Sequence, residues 1–166
     1  MYWSEDRFVF IRPIRWILGL LDDKVIPLHI ADVQSDSYTF GHRILGSPAI
    51  HVPSVAHYFP ALEENHVIPD QQKRRSLIEK QLEEKAGQMG GWMIPDSELL
   101  DEVCGLNEHP HIIAGSFRSD FQTLPSEVLT TVMRKHQKYF SVEDADGRLL
   151  PCFLAVTDCL GDPQGI

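Results

Sequence analysis

The chain has 166 residues, of which 43% are hydrophobic and 23% charged, with a formal net charge of −9 at pH 7. These values are typical of a soluble globular protein long enough to bury a core. No apolar run reaches the roughly 20 residues that a membrane-spanning helix needs, and the acidic first residues do not resemble a signal peptide. The acidic balance disfavours nonspecific binding to nucleic acid, although it does not exclude a local basic patch. We therefore expect a cytoplasmic protein without a membrane partner.

The cysteine and histidine positions predict neither a disulfide framework nor a metal site. Cys104, Cys152 and Cys159 are an odd number at scattered spacing, as expected in a reducing compartment. Among the histidines only His109 and His111 lie close together, and no further ligand motif completes a tetrahedral set. Cys104 also falls on the apolar face of a predicted helix, which indicates a buried thiol rather than a nucleophile.

The first part of the chain predicts short strands around one buried helix. Residues 7–11 are apolar and β-prone, which indicates a buried strand. Residues 14–21 have almost no polar face and predict a helix that is buried on most sides. Asp22 and Asp23 predict a turn, and the proline within residues 25–30 predicts an edge strand.

A second group of strands holds two candidate site residues. Residues 38–45 predict a strand interrupted at Gly41, and residues 49–52 predict another strand. His42 and Arg43 lie on the first of these, where they either form a solvated strand edge or contact a ligand together. The residue pattern favours the solvated edge, because surface Arg and His are common outside binding sites.

The predicted helices in the middle of the chain begin at capping residues. Ser54 caps a brief helix through residue 58, which Pro60 interrupts or restarts. Asp70 caps the longest helix, which runs to about residue 89. The basic run at residues 73–75 lies in its first turn, where the helix dipole disfavours cations. A phosphate partner would explain that placement, but the pattern favours a solvated charged face.

The C-terminal half mixes helices and strands and ends in a hairpin. The predicted elements are a strand over residues 92–94, a helix capped by Asp96, a strand over residues 111–117, a helix opening at Pro125, and strands over residues 139–143 and 148–156. Asp146 and Gly147 between the last two strands are a strong hairpin signal. The predicted fold class is α+β, with a central sheet and packed helices in a single domain over residues 1–158. Residues 159–166 have little pattern and predict a fraying tail.

Residues 125–140 join an amphipathic helix to a basic cluster and then to a strand. The apolar residues recur at helical spacing, and Pro125 suits the first helical position. The cluster and the aromatic residue after it are Arg134, Lys135, His136, Lys138 and Tyr139. The first four are potential cations, which either stabilise a helix end, where the dipole favours positive charge, or bind phosphate. Tyr139 in turn either stacks on a base or packs inward.

The sequence offers no recognisable catalytic centre. The glycines lack the surrounding residues of a nucleotide-binding loop, and no nucleophile elbow occurs. Acidic pairs such as Glu63-Glu64 and Glu83-Glu84 lie on predicted helix surfaces, where solvation explains them. What remains is a recognition surface without a catalytic or metal residue.

Several segments together resemble the β subunit of bacterial-type glycyl-tRNA synthetase. They are Arg12-Pro13-Ile14-Arg15-Trp16, Gly41-His42-Arg43, Leu106-Asn107-Glu108-His109-Pro110, residues 124–129 with 133–140, and residues 146–153. The fourth is the most specific, and in order they cover nearly all of the chain. The sequence departs from the family pattern at Thr157-Asp158, where Ser-Asn is usual.

The resemblance implies an internal part of a longer β subunit, with a fold similar to the B3/B4 domain of phenylalanyl-tRNA synthetase. In this family an α subunit holds the aminoacylation site, and the complete enzyme uses ATP and Mg²⁺ to load glycine onto tRNA(Gly). The expected partners are that α subunit, the remaining β domains and tRNA(Gly), in a heterotetramer. This part itself is expected to need no cofactor.

The resemblance leaves three functions open for this chain. The first is noncatalytic tRNA binding or scaffolding, with Arg134, Lys135 and Lys138 at phosphates and His136 and Tyr139 near an RNA edge. The second is hydrolytic editing of mischarged tRNA, which the B3/B4 likeness suggests but does not transfer. The third is a purely structural role in subunit assembly.

Overall fold

A computed structural model describes residues 14–158, and contacts divide the chain into two compact units that meet in sequence at Val67 and Ile68. Helices and antiparallel sheets are both present, so the predicted α+β class is confirmed. The single domain over residues 1–158 and the B3/B4-like fold stay predictions. The strand predicted over residues 7–11 and the tail over residues 159–166 lie outside the described residues.

The first unit is built from very short strands followed by one helix. Its elements are β1 (Ile17–Leu18), β2 (Leu20–Leu21), β3 (Lys24–Val25), β4 (His29–Ile30), β5 (Val33–Asp36), β6 (Tyr38–Thr39), β7 (Ile50–His51) and α1 (Val55–Glu64). A three-stranded sheet has the order β1-β5-β4, and two further pairs are β2-β3 and β6-β7. β1 runs parallel to β5, whereas the other pairs are antiparallel.

The helix predicted over residues 14–21 is wrong, because this stretch forms β1 and β2 instead. Leu21 pairs with Lys24 across the Asp22-Asp23 turn, and Asp22 takes a left-handed φ of 56°. A two-residue turn of this kind joins two extended segments. The residues before it therefore form a strand, although the apolar run alone also fits a helix. A short run of apolar residues does not by itself distinguish a buried strand from a helix.

Three other predictions in the first unit differ from the structure. The edge strand predicted over residues 25–30 is divided between β3 and β4. The strand predicted over residues 38–45 ends at Thr39, and the chain then turns, with the Gly46 amide donating to the His42 carbonyl at 2.8 Å. Pro60 lies inside α1 and does not stop it. The fixed φ of proline fits a helix, so its cost here is the missing hydrogen bond and the crowding of the preceding turn.

The second unit packs two helices on one face of a four-stranded sheet. Its elements are α2 (Gln71–Gln88), β8 (Trp92–Met93), α3 (Ser97–Leu106), β9 (His111–Ser116), a 3-10 turn (Ser119–Thr123), α4 (Ser126–Val132), a π-helical turn (Met133–Gln137), β10 (Tyr139–Glu143) and β11 (Leu149–Thr157). The strand order is β8-β10-β11-β9, and every neighbouring pair is antiparallel.

The core of the second unit lies between its sheet and the helices α2 and α3. The buried residues that form it are Ile78, Leu82, Ala86, Leu99, Leu100, Val103, Cys104, Phe140, Val142, Cys152 and Leu154. Each large apolar side chain buried here stabilises the fold by about 1.5–3 kcal/mol before entropy is counted. The predicted buried thiol at Cys104 is confirmed, since its side chain is fully buried. Burial also raises the pKa of the Cys152 thiol.

The predicted caps and the hairpin of the second unit are confirmed. Asp70 accepts from the amides of Gln72 and Lys73, and Asp96 accepts from the amide of Leu99 at 2.9 Å. In the hairpin Gly147 has a φ of 74°, a region that suits glycine. Among residues 14–158 no helix has the length and apolar character needed to cross a membrane.

The solvated face predicted for residues 73–75 is wrong for Arg74, which is half-buried. Its Nε donates to the Cys104 carbonyl at 2.9 Å, and its guanidinium also donates to the Ile68 carbonyl. A planar guanidinium can satisfy two carbonyls at once, which explains a cation in the first turn of α2 without a phosphate.

Candidate functional site

The basic cluster lies on the π-helical turn that continues α4. Residues 133–137 widen the helix, and Lys138 then ends it in a left-handed conformation with φ 58° and ψ 38°. That conformation redirects the chain into β10, so Tyr139 begins a strand directly after the cations. π-helical turns are rare and occur often at functional sites, which makes this turn a candidate.

Two of the four cations are held by carboxylates of α3 and its cap. Arg134 donates to the Asp96 carboxylate, and its second nitrogen donates to Glu98 Oε2 at 2.7 Å. Lys138 Nζ lies 2.8 Å from Glu102 Oε1. The hydrogen bond from Arg134 is the main cause that lowers the pKa of Asp96, and Asp96 in turn raises the pKa of Arg134. Both cations therefore fasten the turn to α3.

The other two basic residues of the cluster have no such partner. Lys135 and His136 are exposed, and among the described residues no carboxylate forms an ion pair with either side chain. In a chain of net charge −9 they form a local basic patch. The exposed Lys135 ammonium group and the neighbouring His136 ring are available to an external anion, whereas Arg134 and Lys138 already have acidic partners.

Tyr139 packs on the sheet face opposite α2 and α3. Its ring stacks on Phe153 with centroids 4.2 Å apart and an interplanar angle of 6°. Gly115 lies on β9 beside Phe153, and a Cβ at Gly115 would clash with the Phe153 ring. The glycine therefore leaves room for the aromatic ring. Tyr139 is half-buried on the sheet face away from the core, and its contact with RNA stays a prediction.

An apolar cleft of about 370 Å³ adjoins this aromatic pair. We call it the α4 cleft, and its lining residues are Phe117, Phe121, Leu124, Val128, Leu129, Val132, Met133, Gln137, Tyr139 and Phe153. Its upper wall is α4 with the 3-10 turn, neither of which contains a buried residue. The first and last residues of the π-helical turn, Met133 and Gln137, both line the cleft.

His42 and Arg43 belong to the first unit. His42 is only 3% exposed, so the predicted solvated strand edge is wrong for this residue. Its Nδ1 accepts from the amides of Ile44 and Leu45, both at 3.2 Å, which stabilises the turn after Gly41. Arg43 is exposed, as that prediction expected. Contact of either residue with RNA stays a prediction.

Sequence reasoning missed the acidic partners of the cluster and the cleft. Glu98 and Glu102 are four residues apart and share a helix face, a spacing that signals a paired acidic surface. Phe153 alternates with the buried Cys152 and Leu154, which places its ring on the opposite sheet face. These signals were present, but they do not show which distant element contacts each face.

Comparison with known proteins decides the family. The family model described as glycyl-tRNA synthetase beta subunit matches residues 1–165. The chain belongs to the glycyl-tRNA synthetase β subunit family. The resemblance inferred from the sequence segments is thereby confirmed.

Relatives within the glycyl-tRNA synthetase β subunit family match almost the whole chain. The glycine–tRNA ligase beta subunit of Citrifermentans bemidjiense is 41% identical over 165 residues, covering 99% of this chain and 24% of that protein. Its counterpart from Moorella thermoacetica is 43% identical over 162 residues, covering 98% of this chain and 23% of that protein. The one from Ligilactobacillus salivarius is 42% identical over 156 residues, covering 94% and 22% respectively. The chain thus spans about a quarter of the length of these relatives.

Proposed function

We propose that this chain is a noncatalytic tRNA-binding and scaffolding part of a glycine–tRNA ligase β subunit. The complete enzyme would pair it with the remaining β domains and an α subunit in a cytoplasmic heterotetramer that attaches glycine to tRNA(Gly) using ATP and Mg²⁺. Support comes from the family match and from relatives named for that ligase. The observation that carries the RNA-binding part is the exposed basic patch of Lys135 and His136 on an otherwise acidic chain.

The roles of the four cations divide according to their partners. Lys135 and His136 contact backbone phosphates, because no carboxylate among residues 14–158 forms an ion pair with either side chain. Arg134 and Lys138 hold the turn against α3 through Asp96, Glu98 and Glu102, which presents the other two outward. Phosphate contacts of this kind set affinity and its salt dependence rather than base specificity.

The test replaces Lys135 and His136 together by Gln and measures binding of a tRNA(Gly) transcript at several salt concentrations. Loss of one phosphate contact lowers the slope of log affinity against log salt by about 1, so the double variant should lose a slope of about 1–2. Lys80→Gln is the matched control, since Lys80 is 73% exposed and lies on α2, away from the patch. Equal slopes for the double variant and the parent chain would reject the assignment.

The scaffolding part of the proposal is supported by the exposed apolar surface of α4. Val128 and Val132 are each 48% exposed although they lie on the apolar face of a helix. The chain should be retained on immobilised α subunit or on the remaining β domains in a pulldown without RNA. Failure to retain the chain would reject the scaffolding role. RNA binding would still be tested by its salt dependence. Editing of mischarged tRNA stays a prediction, which a deacylation assay of the complete β subunit would decide.

A further inference from the structure

β9 forms one edge of the four-stranded sheet in the second unit. In the order β8-β10-β11-β9 the two edges differ in length, because β8 has two residues whereas β9 has six. All six residues of β9 pair with β11 in one unbroken register. Among residues 14–158 no second strand pairs with β9, so its outer side is unpaired within the described part of the chain.

The backbone groups on this outer side follow from the pairing with β11. The Phe117 amide donates to the Pro151 carbonyl at 3.0 Å, and these two residues continue the register of the strand pair. Because hydrogen-bonded and non-hydrogen-bonded positions alternate along an antiparallel pair, every second residue before Phe117 also directs its amide and carbonyl to β11. The residues between them, Ile112, Ala114 and Ser116, direct these groups outward. No hydrogen bond within the described residues reaches them.

This edge lacks the features that usually prevent strands of different molecules from pairing. Exposed edges are normally short, charged, bulged, covered or interrupted by proline. β9 contains no Lys, Arg, Asp, Glu or Pro, and Ile113 in its middle is 43% exposed. Pro110 lies directly before the strand and Arg118 two residues after it. The unprotected stretch therefore has the length of the strand itself.

A second copy of β9 in antiparallel orientation fits this edge. Because three residues direct their backbone groups outward, a two-fold axis at the middle one, Ala114, pairs Ile112 of each copy with Ser116 of the other. All the outward amides and carbonyls then have partners. The axis brings together two methyl side chains, which permit a close approach. No like charges oppose each other along the strand pair, although the chain carries a net charge of −9.

The same register gives the exposed Ile113 an apolar partner. Ala114 pairs with the core residue Leu154, so its neighbours Ile113 and Gly115 lie on the opposite face of the sheet. The register places Ile113 of one copy opposite Gly115 of the other. The Phe153 ring lies over Gly115, since a Cβ on this glycine would clash with it. Ile113 therefore packs against an aromatic ring of the other copy.

We propose that β9 pairs with β9 of a second copy across a two-fold axis at Ala114, which joins two four-stranded sheets into one of eight strands. Self-complementarity selects this occupant. A strand of another protein would satisfy the same backbone groups, but only self-pairing sets alanine against alanine and Ile113 against Gly115 in the register that also pairs every outward group. The contact is independent of the RNA-binding and scaffolding roles proposed above, since neither of them uses β9.

The experiment follows the mass of the 166-residue chain by sedimentation over a series of protein concentrations. One strand pair is smaller than a standard interface of roughly 1,600 Å², so we expect a dimer with a micromolar dissociation constant. Ala114→Lys places two like charges at the axis and should weaken the dimer at least about tenfold. Ala114→Glu should weaken it for the same reason. An equimolar mixture of the two variants should restore the dimer, because opposite charges then face each other.

Ala114→Ser is the matched control, because it keeps a small side chain and the outward amide and should associate as the parent chain does. Ala114 is exposed, so urea unfolding should show all three variants to be folded. A parent chain that stays monomeric would overturn the proposal and leave the edge to a strand of another polypeptide. A dimer that persists in both charged variants would place the contact elsewhere and reject β9. A mixture that stays monomeric would reject the axis at Ala114.

Discussion

Asp96 connects the start of α3 to the basic turn after α4 through a single carboxylate. One oxygen accepts from the Leu99 amide at 2.9 Å and so caps the helix, while the carboxylate also accepts from Arg134. The cap is local in sequence, and its residue type alone predicted it. The ion pair joins residues 38 positions apart, which no local pattern specifies.

The charge on Asp96 should make the stability of the chain depend on pH. Arg134 lowers the pKa of Asp96 below its ordinary value of 3.8 in the folded state. A lowered folded pKa adds stability that is present above 3.8 and is lost as the pH falls through the folded value. Asp96→Asn keeps a capping residue but removes the charge. Its stability deficit in urea unfolding should therefore be constant near neutral pH and shrink below 3.8.

Glu84→Gln provides the comparison for this pH series. Glu84 is 59% exposed and its carboxylate lies 3.8 Å from Lys80 Nζ, so the pair contributes little. Its stability curve should follow that of the parent chain at every pH. A deficit in Asp96→Asn that does not change between neutral and acid pH would show that the ion pair with Arg134 adds nothing to the cap.

Gly147 in the hairpin and Gly87 in α2 differ in the backbone conformation that their position requires. Gly147 ends the hairpin loop with a φ of 74° and donates to the Asp144 carbonyl at 3.0 Å. Gly147→Ala should lower stability by about 1–2 kcal/mol, because a Cβ disfavours the left-handed region. Gly87 lies within α2 with nothing within 4 Å of an added Cβ. Gly87→Ala should raise stability by about 0.5–1 kcal/mol.

Thermal and urea unfolding of these two alanine variants measures the pair of effects. The same substitution should lower stability at Gly147 and raise it at Gly87. Because both variants gain the same methyl group, opposite effects on stability must come from the backbone conformation. A gain in stability in both variants would show that the hairpin does not require glycine at position 147.

Elements with a local chemical signal were predicted, and elements decided by distant pairing were not. Asp70, Asp96 and Gly147 each satisfy backbone requirements within a few residues, so their sequence neighbourhood is sufficient. The apolar stretch at residues 14–21 has no such signal, and its strands depend on pairing with β3 and β5. The basic cluster at residues 134–138 was predicted because its residues are adjacent, but the pairing of Arg134 and Lys138 with carboxylates of α3 was not. The cleft was not predicted, because the 3-10 turn, α4, the π-helical turn, β10 and β11 all contribute to it.

Buried apolar residues are distributed unevenly between the two units. All residues of the buried core cluster, the first of which is Ile78 and the last Leu154, lie in the second unit. Among the described residues before Ile68, the buried apolar side chains are Val52 and Leu62, and Ser35, Thr39 and His42 are also buried there. Since apolar burial supplies most of the driving force for folding, the second unit holds most of the stabilising core.

A fragment of residues 68–166 should therefore fold without the preceding residues. It contains the four-stranded sheet, α2 and α3, and a chain of that length can bury a sufficient core. We expect one cooperative transition in urea, and Leu82→Ala, at a fully buried position, should destabilise the fragment and the whole chain alike by about 2–5 kcal/mol. The fragment also carries Lys135 and His136, so its RNA affinity should show the salt slope of the whole chain. A fragment with no cooperative transition, or one insensitive to Leu82→Ala, would show that residues 1–158 fold only as a single domain.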